Sequence, residues 1–230
     1  MLLYQEEDGF LFNSDSHYLY DFISKLNPKG KVLDVGSGCG ILGLLIARDF
    51  KVKLTSIDIQ ENSAFLTKQN ALVNKIECEA FCGDFLEFEF DKKFDFIISN
   101  PPYYHSEVVK SKNKKLYISR YAENLNLESF VKKVNSLLEN RGHFVFCHDA
   151  KELKNIFEVL KRYKINPVDI RFVHGSLEKP SHLVFIHARK SSNSPTTVHP
   201  PLISTQNGEF TKEVESIYQK TSTYSIKCFV

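Results

Sequence analysis

Lys31-Val-Leu-Asp34-Val35-Gly36-Ser-Gly38-Cys-Gly40-Ile41-Leu-Gly43 decides the fold of this 230-residue chain. A short apolar run ends in glycines at alternate positions, and a second apolar run, Ile41–Phe50, has helical length. That is a strand, a tight turn and a helix. Outward from it the pattern repeats. Lys53–Ile59 reads as a strand, Glu61–Asn74 as a helix, and Ile76–Cys82 as a strand interrupted by Glu77 and Glu79. Phe94–Ser99 is the clearest strand of all. Leu127–Glu139 carries Leu127, Phe130, Val131, Val134, Leu137 and Leu138 on one helical stripe. His143–His148 follows the Asn140-Arg-Gly142 turn as a strand, and Leu153–Tyr163 is an amphipathic helix. Val168–Val173 and His182–His187 are two last strands, joined by a loop holding Gly175 and Pro180.

Seven strands alternating with helices imply an α/β fold: a doubly wound, mostly parallel sheet with helices on both faces. The last two strands have no helix between them, so the last one is expected to run antiparallel. Residues 1–190 are expected to form this domain. From Lys190 to Pro201 the composition shifts to Ser, Pro and Thr, which reads as a linker or flexible loop. Phe210–Lys220 has the pattern of a final amphipathic helix, and residues 191–230 are expected to pack on the same domain.

Composition excludes several classes. With 42% hydrophobic and 25% charged residues the chain is neither disordered nor membrane-spanning in bulk. Met1-Leu-Leu-Tyr-Gln-Glu-Glu-Asp8 has no basic or apolar leader region, so no signal peptide is expected. Cys39, Cys78, Cys82, Cys147 and Cys228 are odd in number and lack a C-x-x-C pair; free thiols in a reducing cytosol are the expectation. The histidines show no H-E-x-x-H spacing, so no metal is expected. The net charge of +2 announces no nucleic acid by itself. Its distribution is more telling: Lys110, Lys112, Lys114, Lys115 and Arg120 fall in one stretch without an acid.

The glycine turn has two readings. Gly38-x-Gly40-x-x-Gly43 matches a dinucleotide fingerprint, with Asp58 at the end of the next strand to hold a ribose. Asp34-x-Gly36-x-Gly38-x-Gly40 equally matches the class I methyltransferase loop. Either way the ligand would carry a nucleoside; a plain strand-to-helix turn is the other reading of the loop, which alone does not choose. Asp84, in Gly83-Asp84-Phe85, is placed to accept from an adenine amino group while Phe85 packs on the ring; a plain turn residue is the other reading of it.

Ser99-Asn100-Pro101-Pro102-Tyr103-Tyr104 discriminates. Two prolines cannot donate to a sheet ladder, so the strand stops and Asn100 stands at its carboxyl edge, over the ligand crevice. Asn100 Oδ1 and the Pro101 carbonyl are two acceptors for the two hydrogens of a planar amine. Holding them fixes the nitrogen in line with a methyl donor and favours its pyramidal form. Tyr103 would stack on the base. A nicotinamide-dependent oxidoreductase would leave Pro101-Pro102 without purpose, and no Tyr-x-x-x-Lys pair is present.

These residues resemble the amino-methylating class I methyltransferases that carry an [N/D/S]-P-P-[Y/F/W] motif. That group acts on adenine N6 in DNA or RNA, guanine N2 in rRNA, or glutamine N5 in release factors. About thirty residues precede the first strand, leaving no room for the extra domains common in the release-factor and some rRNA enzymes. Instead Asp8-Gly-Phe-Leu-Phe12-Asn-Ser-Asp15-Ser16 is similar to the entry segment of the bacterial tRNA1(Val) adenine-37 N6-methyltransferases. Ser99–His105, the Ser119-Arg120-Tyr121 stretch, and Phe210-Thr-Lys-Glu213-Val with Tyr218 resemble that family too. Ser191–Pro201 and Thr221–Val230 match no pattern.

The resemblance implies S-adenosyl-L-methionine as cofactor, held by Asp34, Gly36, Gly38, Gly40, Asp58, Asp84 and Phe85. Phe12 and Asp15 are placed to cover it, although Phe12 reads equally well as core. It implies Asn100, Pro101 and Tyr103 at the reaction centre. The substrate would be a tRNA anticodon loop in the cytoplasm. Pro102 and Tyr104 would line its base, with Lys112, Lys114, Lys115 and Arg120 on its phosphates.

Overall fold

The computed structural model describes residues 1–7, 11–101 and 126–229. The chain enters through β1 (Leu2–Glu6) and α1 (Ser14–Ser24). The apolar stretch through Ile23 is this helix. Asn13 caps it by accepting from the Asp15 amide at 3.0 Å. Then come β2 (Gly30–Val35), α2 (Ile41–Asp49), β3 (Val52–Asp58), α3 (Glu61–Val73), β4 (Cys78–Cys82) and β5 (Phe94–Ser99). After residue 126 follow α4 (Leu127–Leu137), β6 (Leu138–Asp149), α5 (Leu153–Arg162), β7 (Ile165–His174) and β8 (Ser181–Lys190). Short strands β9 (Thr197–Val198), β10 (Leu202–Ile203), β11 (Thr205–Gln206) and β12 (Glu209–Phe210) lead to α6 (Lys212–Thr221) and β13 (Tyr224–Cys228).

The central sheet runs β10-β7-β8-β6-β5-β2-β3-β4. Strands β4, β3, β2, β5 and β6 are parallel, and β8 is antiparallel to both its neighbours. The seven expected strands are all present, but among the described residues the sheet has nine. Inside and just beyond the expected linker, β9 pairs with Asp169–Ile170 and β10 with Val173–His174, both along the outer edge of β7. Pro200 and Pro201 lie between them and have no N–H to give, which breaks this ladder into two two-residue pieces. The strip still covers an edge that would otherwise expose backbone groups. The Asn140-Arg-Gly142 turn is a bulge within β6, where Arg141 takes φ 63° and the register to β5 shifts.

Strand alternation sends side chains to two cores. Phe96, Ile98, Val145 and Cys147 face α1, α2 and α6, while Ile97, Phe144 and Phe146 face α4 and α5. A polar seam ties β6, β8, β7 and the residue after β9 together. His143 Nδ1 meets His187 Nε2, His187 Nδ1 meets Asp169 Oδ2, and Asp169 Oδ1 meets His199 Nε2, each at 2.8 Å. Burial lowers His143 to about 4, so its ring is neutral at ordinary pH, and burial also lowers His187.

Candidate active site

β2 is flanked by β3 and β5, and the chain leaves it toward opposite sides of the sheet: this is the topological switch point, where such folds bind ligands. The register fixes what meets there. Val35 pairs with Ile57 on one side and Ser99 on the other, and Ser99 pairs with Phe146. The next residues, Cys147, Asn100, Gly36 and Asp58, therefore stand in one row across four strands, spaced by roughly 5 Å each. Ser99 Oγ locks two of these strand ends by donating to the Val35 carbonyl at 2.7 Å.

The loop after β2 is built around open space. Gly36 and Gly38 have φ of +70° and +55°, and a Cβ on either would meet nothing within 4 Å. Both sit in the left-handed region and both border a void, a cradle that two methyl groups would begin to fill. Gly40 is different: its Cβ would come within 2.9 Å of Thr67 Cγ2, so it serves packing against α3. Asp58 accepts from the Gly38 amide at 2.8 Å through Oδ2 and from the Gln60 amide at 2.9 Å through Oδ1. Burial pushes its carboxyl upward, and these two amides pull it back. Each oxygen keeps a second lone pair, which suits a ribose diol.

Asp34 stands beneath the loop rather than beside its opening. It is 1% exposed, and its Oδ2 accepts from the Gly43 amide at 2.9 Å. It shapes the start of α2. Asp84 Oδ1 accepts from the Leu86 amide at 2.8 Å, which closes a turn just beyond β4, and the carboxylate is half-buried there. The Phe85 ring is 5% exposed and lies edge-on to Phe130 at 5.5 Å; a ligand ring would meet a sliver of it and no free face. Phe12 sits half-buried at the mouth of α1, its ring edge-on to His17 at 5.5 Å.

Asn100 is gripped from two sides. Its Nδ2 donates to Ser16 Oγ of α1 at 3.3 Å, and its Oδ1 accepts from the Cys147 thiol of β6 at 2.7 Å. Pro101 is buried behind it. Ser16 and Cys147 were no part of the expected site. The signal for Cys147 lay in the register of β6 against β5, and that for Ser16 in the packing of α1 on the strand ends, neither of which a single sequence prints. Pro102, Tyr103, Tyr104, Lys112, Lys114, Lys115 and Arg120 lie outside the described residues. Among the described residues no cluster of three or more His, Cys, Asp or Glu could hold a metal ion. None of their helices is long and apolar enough to cross a membrane.

A switch-point crevice, a glycine cradle and a ribose-ready acid make a site for a nucleoside-bearing cofactor, and residues 13–147 match the methyltransferase small domain family, which makes it the site of a class I methyltransferase. The chain belongs to that family, and S-adenosylmethionine is its cofactor. It is similar to the tRNA1(Val) (adenine(37)-N6)-methyltransferase of Vibrio campbellii, 25% identical with 93% of this chain and 91% of that one covered. The enzyme of the same name from Pedobacter heparinus is 26% identical, with 67% of each chain covered. Among solved structures, a predicted O-methyltransferase from Agrobacterium tumefaciens shares the fold with a TM-score of 0.68 at 17% identity, covering 93% of this chain and 99% of that one.

Proposed function

We propose that this methyltransferase acts on the exocyclic N6 of adenine in tRNA, at position 37 of a valine tRNA. The observation that carries the reading is Asn100-Pro101 at the carboxyl end of β5, one strand away from the glycine cradle at Gly36. S-adenosylmethionine supplies the methyl group from a positively charged sulfur. Asn100 Oδ1 has one lone pair on the Cys147 thiol and a second for an amine hydrogen. The Pro101 carbonyl takes the other hydrogen. Together they turn a delocalised lone pair toward the donor and keep the nitrogen in line. No base needs to precede the transfer, because the surplus proton leaves the product cation for water.

In this reading Asp58 holds the ribose hydroxyls, Asp84 the cofactor's adenine amino group, and Gly36 and Gly38 make room for the cofactor. Phe12 closes the mouth, and Asp34 acts through the loop it supports. Tyr103 stacks on the flipped base, Pro102 and Tyr104 line it, and Lys112, Lys114, Lys115 and Arg120 answer the phosphates. A base in an anticodon loop costs less to extrude than one in a duplex. The enzyme would work in the cytoplasm, where its tRNA is. The similarity to the Vibrio enzyme over nearly the whole chain supports the tRNA assignment above guanine N2, DNA adenine or glutamine N5.

The test is to incubate unmodified tRNA with labelled cofactor and digest it to nucleosides. Label is expected in N6-methyladenosine, and label in guanosine derivatives alone, or none in tRNA, overturns the assignment. Asn100→Ala should lower kcat by roughly a hundredfold or more while S-adenosylhomocysteine still binds.

A further inference from the structure

A primary amide has two ends of nearly equal size and opposite chemistry. If Asn100 turns by 180° about its last bond, a donor stands where an acceptor is needed, and an N–H faces the hydrogens of the incoming amine. Something must choose between the two orientations. The row at the sheet edge places two candidates on Asn100. Cys147 is its neighbour on β6, fully buried, with Sγ 2.7 Å from Oδ1. Ser16, from the first turn of α1 and also buried, has Oγ 3.3 Å from Nδ2.

We propose that Cys147 is a positioning residue for the methyl acceptor: its S–H, with Ser16 as the opposite jaw, fixes the Asn100 amide so that its oxygen faces the substrate amine. The proposal rests on the reading of Asn100 as an amine acceptor. A thiol selects the oxygen end only while it carries its proton. Burial, with the nearby Asp15 carboxylate adding to it, pushes the Cys147 thiol well above its ordinary range, so it stays a donor. A thiolate would accept, and would turn the amide around. Water is a poor substitute for either jaw, since both side chains are buried where they meet Asn100. Neither residue touches the substrate in this scheme. Their effect belongs in kcat and not in binding.

The test compares wild type, Cys147→Ala, Cys147→Ser and Ser16→Ala on unmodified tRNA. Cys147→Ala should lose roughly tenfold in kcat, the worth of one hydrogen bond, with KM for tRNA and S-adenosylhomocysteine affinity unchanged. Cys147→Ser should keep most of the rate, because a hydroxyl donates as the thiol does. Ser16→Ala should lose kcat alone, as Cys147→Ala does, and it serves if the β6 variant folds poorly. A Cys147→Ala enzyme at the wild-type rate overturns the proposal, as does a Cys147→Ser enzyme that falls as far as Cys147→Ala, which would mark a packing role.

A readout without substrate separates this from the tRNA assignment. The nitrogen–proton signal of the Asn100 side-chain amide, identified by its loss in Asn100→Asp, should move in Cys147→Ala and stay close to wild type in Cys147→Ser. If wild type methylates no tRNA but the signal behaves so, the amide clamp stands and the substrate assignment falls. An amide signal indifferent to both changes overturns the clamp whatever the substrate.

Discussion

Asp34 is an acid held where acids are costly. Burial pushes its carboxyl up to about 7 from 3.8; the Gly43 amide lowers it and the Asp58 carboxylate raises it. A carboxyl that binds its proton more tightly when folded lends stability below its unfolded value, and loses it as pH rises through its folded value. For Asp34 that window runs from pH 3.8 to about 7. Asp34→Asn keeps an oxygen for the Gly43 amide and removes the titration. Between pH 5 and pH 8 wild type should therefore lose about 2–3 kcal/mol relative to Asp34→Asn, read by urea unfolding at each pH. A difference independent of pH would refute the assignment. The same residue shows what a sequence yields at this scale. Asp34 two places before Gly36 marks a nucleoside-binding loop, but the spacing is silent on whether the carboxylate faces the ligand or the helix behind it. Phe85 is a parallel case, since its place in the sequence says nothing of Phe130, 45 positions on, which claims its ring.

At the scale of elements, the β-α alternation was legible because strands such as β2 and β5 are apolar on both faces and helices such as α4 and α5 on one. What escaped was pairing between distant segments. β1 lies between two partners of different kinds. On one side it pairs in parallel with β13, from Leu2 beside Tyr224 to Glu6 beside Cys228. On the other, Asn70 of α3 and Asn74, the residue that caps its C-terminal end, imitate a strand. The Tyr4 amide donates to Asn70 Oδ1 at 2.7 Å and the Leu2 amide to Asn74 Oδ1 at 3.0 Å. Their amide nitrogens return the bonds to the Tyr4 and Leu2 carbonyls at 2.9 and 2.6 Å. Residues four apart on a helix thus serve residues two apart on a strand. Asn70 reaches further, donating to the Cys39 carbonyl of the glycine loop at 2.8 Å. The two asparagines should therefore separate by phenotype. Asn74→Ala should fray β1 and β13, seen as faster amide exchange at Leu2 and Tyr4, with cofactor affinity intact. Asn70→Ala should fray them and also weaken cofactor binding, at a cost of about 2–3 kcal/mol in stability for a fully buried amide. Equal cofactor affinity in the two variants would show that the loop does not depend on this bond.

For the whole molecule, the question is whether the segment after Lys190 is an accessory or part of the fold. Its composition reads as a linker followed by a helix, because Ser, Pro and Thr carry no periodicity and strands of two residues leave no pattern. Its contacts say otherwise. Val214 and Ile217 of α6 are buried in the core that includes Tyr18 and Leu19 of α1. Arg171, buried on β7, gives both its bonds at one nitrogen to the Glu213 carboxylate, at 2.7 and 2.8 Å, and a third to the Pro200 carbonyl at 3.1 Å. Tyr218 donates to Ser14 Oγ at 2.8 Å, two residues before the Ser16 that touches Asn100. Removing the segment would uncover apolar surface on α1, strip the covered edge of β7 and leave a buried guanidinium facing Asp21 at 3.9 Å as its remaining counter-charge. We therefore propose that residues 191–230 complete the methyltransferase domain and do not form a separable appendage. A chain ending at Lys190 should lack a cooperative thermal transition, bind a hydrophobic dye and fail to bind S-adenosylhomocysteine, although it retains every residue of the glycine cradle and Asn100. Glu213→Gln tests the same dependence more gently: it keeps the packing, weakens the Arg171 pair, and should lower stability by roughly 1–3 kcal/mol with the cofactor site unchanged. A Lys190-terminated chain that melts cooperatively and binds cofactor would place the boundary where the composition alone suggests it.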